Sequence, residues 1–296
     1  MTPVNDIPLT PYAQLPAAYR DRHIAHSTVD AFGRAHWLLT AEAHPWDGPP
    51  YEAVVVTVGD GHPYETHLSA VRPHGVRFDA LADGGFIVAA TRSHRDEEPP
   101  QAQVFDALGR PSWTFRLGDA IEHLLADEDG TLWVGYFDEG IFGDDLSAPG
   151  LRQWSGTGDP LWEFKRGPGV EDIADCYALN VGAHSVWVCP YQRFPLIEVR
   201  DGRTARIWDN PVRGASGFAV CGDRVVFYDP SGDDRHQLVD CRLGESAVRP
   251  VTRTRLVRPD GGALRGRRRV VCRGPRIYVQ VKPFTAWTLL DITADS

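Results

Sequence analysis

Apolar positions along this chain gather into short runs separated by polar, turn-forming segments. The clearest are Trp37-Leu38-Leu39, Phe86-Ile87-Val88, Leu132-Trp133-Val134, Val186-Trp187-Val188, Val225-Val226-Phe227 and Ile277-Tyr278-Val279. Each is rich in β-branched or aromatic residues and too short to make a buried helix, which assigns strands. Successive runs lie roughly 40 to 55 residues apart, the interval expected when each repeat is one four-stranded unit.

The neighbours of each run repeat as well. Before it come a strand and a tight turn, as in Val76 to Leu81 followed by Ala82-Asp83-Gly84-Gly85, or Ile121 to Leu125 followed by Asp127-Glu128-Asp129-Gly130. After it come two further strands about a second turn, as in Leu196 to Val199 and Ala205 to Trp208 across Asp201-Gly202. Such a unit cannot bury both faces alone and must stack against its neighbours. The fold class expected is therefore all-β, a single-domain β-propeller spanning residues 1–296 with six four-stranded blades. The last repeat ends at Trp287 to Ile292, one strand short. A strand from the N-terminal segment 1–30, between Ile7 and Val29, is expected to close the ring and remove two exposed edges. Ala17 to His26 is the one short helix expected.

Asp129-Gly130-Thr131-Leu132-Trp133-Val134-Gly135 resembles the Asp-Gly-x-Leu-Trp-(Val/Ile)-Gly signature of propeller repeats in bacterial sensor regulators, and more loosely that of NHL-repeat propellers. The continuation through Tyr136-Phe137-Asp138-Glu139-Gly140, with Asp175-Cys176-Tyr177-Ala178-Leu179-Asn180, resembles uncharacterised single-domain propellers of high-GC bacteria. That likeness implies a fold for the whole chain and carries no catalytic residues.

Composition narrows the functional classes. Gly 29, Pro 23 and an aromatic content of 10% are those of a turn-rich β protein. A formal charge of −9 disfavours nonspecific binding to nucleic acid or anionic lipid, so specific nucleic-acid binding is not expected. No apolar run approaches the roughly 18 residues needed to span a bilayer. The N-terminus lacks a basic segment followed by an apolar one, and the five cysteines form no Cys-x-x-Cys pair. Buried, reduced thiols in a cytoplasmic protein are expected.

The first strand of each blade lines the axis of a propeller, which puts Arg77, Glu122, His123, Asp175, Cys176, Ser216 and Arg268 near it. Alternation along a strand prevents the adjacent Glu122 and His123 from both facing inward. Glu122, Asp138, Glu139 and Asp175 form an acidic set. Crowded carboxylates raise one another's pKa and supply an acid and a base, or they hold a hard divalent ion such as calcium or magnesium. Asp127 to Gly130 lacks the spaced ligands of a calcium loop and is read as a hairpin turn. Asp144-Asp145 and Asp233-Asp234 are read as surface features.

From Arg249 to Arg276 the chain has ten arginines and one acid, Asp260. Arg268, with Arg77 on an earlier repeat, is placed to meet a carboxylate or phosphate. His74 and His123 each fall near an inner strand, and no histidine spacing matches a metal motif. Tyr136, Phe137, Phe142, Tyr191, Phe194, Tyr228, Phe284 and Trp287 flank the second strands. They are read either as packing between blades or as the wall of a ligand site. Pro190-Tyr191-Gln192-Arg193-Phe194-Pro195 is a specifically shaped loop without an assigned role.

Two functions follow as expectations. One is a cytoplasmic propeller that binds a small anion or a partner protein at one end of its channel, through Arg77, His74, Tyr136, Glu139 and Arg268. The other is a hydrolase or lyase working through Glu122, His123, Asp138 and Asp175.

Overall fold

The computed structural model describes residues 5–43, 48–59, 61–93, 101–167, 171–229 and 237–293. The N-terminal segment supplies β1 (Asp6–Pro8) and β2 (Thr10–Gln14), then a single 3-10 turn at Ala17–Tyr19 and β3 (His23–Val29). The helix expected from Ala17 to His26 is thus one turn that runs into a strand. Within that span His23, Ile24 and His26 pair with Thr40, Leu39 and Leu38, and the strand runs on into the buried Ser27, Thr28 and Val29, a ladder that overrides the local helical tendency.

One sheet continues from β3 through β4 (Ala35–Thr40), β5 (Tyr51–Val58) and β6 (Tyr64–Val71). The next holds β7 (Val76–Ala80), β8 (Phe86–Ala90), β9 (Ala102–Phe105) and β10 (Pro111–Phe115). The third holds β11 (Ile121–Ala126), β12 (Leu132–Tyr136), β13 (Leu151–Trp154) and β14 (Pro160–Glu163), with the short helix α1 (Asp138–Gly143) between its second and third strands. The acidic, glycine-bounded segment after Tyr136 forms this helix.

The fourth sheet contains β15 (Asp175–Val181), β16 (Val186–Tyr191), β17 (Leu196–Arg200) and β18 (Arg203–Trp208). The fifth contains β19 (Gly217–Cys221), β20 (Arg224–Tyr228), β21 (Gln237–Leu243) and β22 (Val248–Val257), to which β1 adds in parallel. The last contains β23 (Arg268–Arg273), β24 (Arg276–Val281) and β25 (Ala286–Asp291), and β2 completes it by pairing antiparallel with β25. The missing fourth strand of the last repeat therefore comes from residues 10–14, inside the expected interval. Six blades of four antiparallel strands make this a β-propeller.

The chain divides into two compact units, Leu15–Cys176 in one and Met1–Gln14 with Tyr177–Ser296 in the other. In the first, the inner strands β3, β7 and β11 pack side by side, and a core cluster joins Leu38, Val55, Leu68, Phe78, Phe86, Val88 and Phe105. The second unit has two clusters, one about Trp187, Trp208, Phe218 and Phe227 and one about Leu9, Leu256, Ile277 and Ile292. Second strands such as β4 and β12 are buried along their whole length, whereas the outer strand β10 is almost wholly exposed. Burial on both faces is why the second strands read as unbroken apolar runs.

The turns explain the repeat. Asp127 accepts hydrogen bonds from Asp129 N at 3.1 Å, Thr131 N at 2.9 Å and Trp133 Nε1 at 3.0 Å, while Gly130 takes a φ of 80°. Asp30 with Gly33 and Asp106 with Gly109 repeat the arrangement, each with an arginine four residues on whose Nε lies 2.7 Å from the carboxylate. An aspartate that caps the turn and a glycine that accepts positive φ are what the geometry requires.

Candidate functional site

The acidic set partly converges, and it does so within the Leu15–Cys176 unit. Arg77 is the second residue of β7 and Glu122 the second of β11. A bulge between Ile121 and His123 leaves Glu122 out of the ladder and directs it toward β7. Arg77 donates from Nε to the Glu122 backbone carbonyl at 2.9 Å and from Nη2 to its carboxylate at 3.2 Å. His123 points the other way, its Nε2 lying 3.0 Å from the Cys176 carbonyl, so that ring nitrogen carries a proton to donate. The two neighbours face apart, as alternation demands.

Asp175 opens β15 and Asp138 opens α1. Burial, then the negative charges of Asp138 and Glu122, push the Asp175 carboxyl up to about 6. These three carboxylates share one local field, in which Arg77 is the cation that touches Glu122.

Glu139 is directed elsewhere. Arg92 holds both Glu139 and Asp119, with its Nε 3.1 Å from Asp119, and lies 5.6 Å from the Phe137 ring centroid. Asp119 also accepts from the backbone of Ser93 at 2.7 Å. Phe137 N bonds to Ala120 O at 3.0 Å, and a Cβ on Gly140 would stand 2.2 Å from Asp119 O, so α1 seats flush on residues 119–120. Ile141 turns inward, and Phe142 stands 78% exposed beside Asp138 and Glu139.

Three residues expected at a ligand site are occupied by packing or pairing. Tyr136 is fully buried and its hydroxyl donates to the Leu117 carbonyl, which makes it core. His74 is buried, bonds the Gly48 carbonyl at 3.1 Å and packs 5.1 Å from the Tyr51 ring. Arg268, in the other unit, meets Asp229 at 2.8 Å and the Tyr228 hydroxyl at 3.2 Å. Much of the basic stretch is matched in the same way: Arg255 with Asp6, Arg258 with Asp260, and Arg276 with Asp291. Arg269 lies 4.1 Å from the Phe284 ring centroid. Asp144, read as a surface acid, is buried: it is the C-cap residue of α1, and its carboxylate accepts from Arg116 at 2.7 Å and from Leu146 N at 2.8 Å. Asp233 and Asp234 lie outside the described residues.

Arg92 and Asp119 were missed from sequence. They sit 27 residues apart on different loops, and nothing local marks them as partners. Among the described residues, no group of three or more His, Cys, Asp or Glu side chains is arranged to hold a metal ion, so the divalent-cation expectation finds no ligand set there. None of the five cysteines is in a disulfide, and burial pushes the Cys189, Cys241 and Cys272 thiols up to about 12. No described helix is long and apolar enough to cross a membrane.

These features define a β-propeller with an acidic cluster at the start of its third and fourth inner strands. A family model described as the YxzG family matches residues 166–283, less than half of the chain. No curated protein sequence matches it. Among solved structures, the chain is similar to the WD40 domain of Toxoplasma gondii coronin, with a TM-score of 0.55 at 10% identity, covering 99% of this chain and 76% of that one. A functionally unknown protein from Desulfotomaculum acetoxidans gives a TM-score of 0.53 at 10% identity, covering 92% and 83%. The β-propeller domain of Cps50 (Swd1) from Myceliophteria thermophila gives 0.51 at 10% identity, covering 99% and 100%. Likeness at this level of identity is likeness of fold.

Proposed function

We propose that this protein is a binding propeller that captures a positively charged side chain of a partner protein on the Glu122, Asp138 and Asp175 carboxylates. The observation that carries the reading is Asp175, whose carboxyl is pushed up to about 6 by burial and two negative neighbours. A site that disfavours its own ionised form is relieved when a cation arrives. Phe142, exposed on the adjoining helix, offers the apolar contact that partner recognition uses. The small anion expected from sequence is less well supported, because Arg77 and Arg268 are both engaged by carboxylates. That none of the five cysteines is in a disulfide favours a reducing compartment such as the cytoplasm.

The test is a titration of the full chain at pH 7.5 with an Arg/Lys-rich peptide, spermidine and citrate, read by chemical-shift changes. The cations are expected to perturb residues around Asp175, and Asp175→Asn with Asp138→Asn to abolish the effect. Citrate binding more tightly than either cation would return the site to the anion reading.

A second reading rests on the same carboxyl. A group that titrates near 6 is suited to proton transfer, and Asp175 would then act as the acid of a hydrolase or lyase with Glu122 or Asp138 as base. A turnover found in a substrate screen and lost in Asp175→Asn, with binding retained, would favour it.

A further inference from the structure

A second surface lies in the other unit, where an aromatic patch carries an arginine at its rim. Tyr177 on β15 and Tyr191 at the end of β16 are 40% and 42% exposed, and their rings stack 6.0 Å apart with 28° between planes. Phe194 is buried beneath them and meets both edge to face, at 5.1 Å from Tyr177 and 5.6 Å from Tyr191. Two adjoining tyrosine rings on a buried aromatic base make a contiguous patch, and tyrosine is enriched where proteins meet.

The loop that presents these rings is braced from below. Asn210 is buried and donates from Nδ2 to the Phe194 and Val212 carbonyls, both at 3.0 Å, while its Oδ1 accepts from Val212 N at 3.0 Å. The Cys189 thiol reaches the same Phe194 carbonyl at 3.5 Å. Phe194 itself has a φ of 56°, a left-handed conformation that costs a non-glycine residue about 1 kcal/mol or more. Such a conformation persists only where its surroundings over-determine it, and Asn210 supplies that constraint. The platform is preorganised before any partner arrives.

Charge selects the partner. Arg213 is exposed, lies 5.9 Å from the Phe194 ring centroid and donates to the Arg193 carbonyl, so its guanidinium is held at the rim of the aromatic patch. Among the described residues no carboxylate forms an ion pair with Arg213, whereas Arg255, Arg268 and Arg276 in the same unit each have one. Exposed, stacked tyrosines bearing hydroxyl groups fit the rings and carbonyls of an extended polyproline segment, and an arginine at their edge fits an acidic side chain beside it. We propose that Tyr177, Tyr191 and Arg213 form a docking surface for an extended, proline-containing, acidic peptide segment of a partner protein.

The experiment is selection from a displayed library of random peptides on the purified full chain, against Tyr191→Ala and Arg213→Glu in parallel. Both residues are exposed, and unchanged melting temperatures verify that the variants fold. The expected result is enrichment of peptides that combine proline with Asp or Glu. The best of these, made synthetically, should bind Tyr191→Ala and Arg213→Glu at least ten-fold more weakly than the parent. Peptides that bind all three proteins alike, a basic consensus or no enrichment would overturn the proposal. A ten-nucleotide oligouridine that binds the parent, loses affinity in Tyr191→Ala and displaces every selected peptide would instead assign the platform to base stacking.

Discussion

Gly135 on β12 faces Cys176 on β15 so closely that a Cβ at Gly135 would stand 2.5 Å from the Cys176 Sγ and 3.1 Å from its Cβ. The two strands approach here because one of them has no side chain, and this approach brings Asp175 within electrostatic reach of Glu122 and Asp138. Gly135→Ala is expected to destabilise the protein by about 2 kcal/mol through overpacking. Chemical denaturation measures it, and a cycle with Cys176→Ala should recover part of the loss if the contact is the cause.

Asp175 makes stability fall as pH rises. Its folded carboxyl titrates near 6 and its unfolded one near the ordinary carboxylate value, so between those limits the folded state binds more protons. The contribution is favourable below the unfolded pKa and lost as pH rises through the folded one. Asp175→Asn should therefore stabilise the protein by about 1 kcal/mol at pH 7.5, after allowance for solvent screening, and by nothing at pH 4. Melting temperatures of parent and variant across that range check the sign.

Arg77 is predicted to tune this site without holding the fold. Its ion pair with Glu122 is partly exposed, so Arg77→Gln should cost about 1 kcal/mol or less. Removing the cation leaves the three carboxylates less compensated, and the Asp175 titration followed by carboxyl NMR should move upward. A downward shift would show that Arg77 does not act on this field.

Arg92 ties α1 to residues 119–120. Arg92→Ala should leave global stability within about 1 kcal/mol of the parent while lowering amide protection in the helix, most clearly at Ile141 and Asp144. Hydrogen exchange measured residue by residue separates this local loosening from global unfolding.

Asn210→Ala removes the hydrogen bonds to Phe194 and Val212 beneath the tyrosine platform and strands buried backbone groups. A loss of about 2 to 3 kcal/mol is expected, with the Tyr191 ring resonances broadening or shifting. Wild-type tyrosine resonances in the variant would show that Phe194 holds its conformation without the brace.

The β-propeller was legible because its second strands are buried on both faces. Phe86-Ile87-Val88 and Leu132-Trp133-Val134 read as unbroken apolar runs for that reason, and the turns before several of them carry aspartate and glycine because backbone geometry there demands both. Those are local requirements, written where they act. The missing strand of the last repeat could also be inferred, since an unpaired edge needs a partner and the N-terminal segment had none. The site followed other rules. Arg77 and Glu122 are 45 residues apart, and Arg92 and Glu139 are 47 apart. Whether Glu122 meets an arginine, or Tyr136 enters the core rather than a ligand site, depends on a bulge, a six-residue helix and the approach of separate strands. By itself, the sequence determined where strands begin, turn and repeat, because those preferences act over a few residues. The tertiary structure alone decided which charges meet, because electrostatic partnership depends on distance in space rather than along the chain.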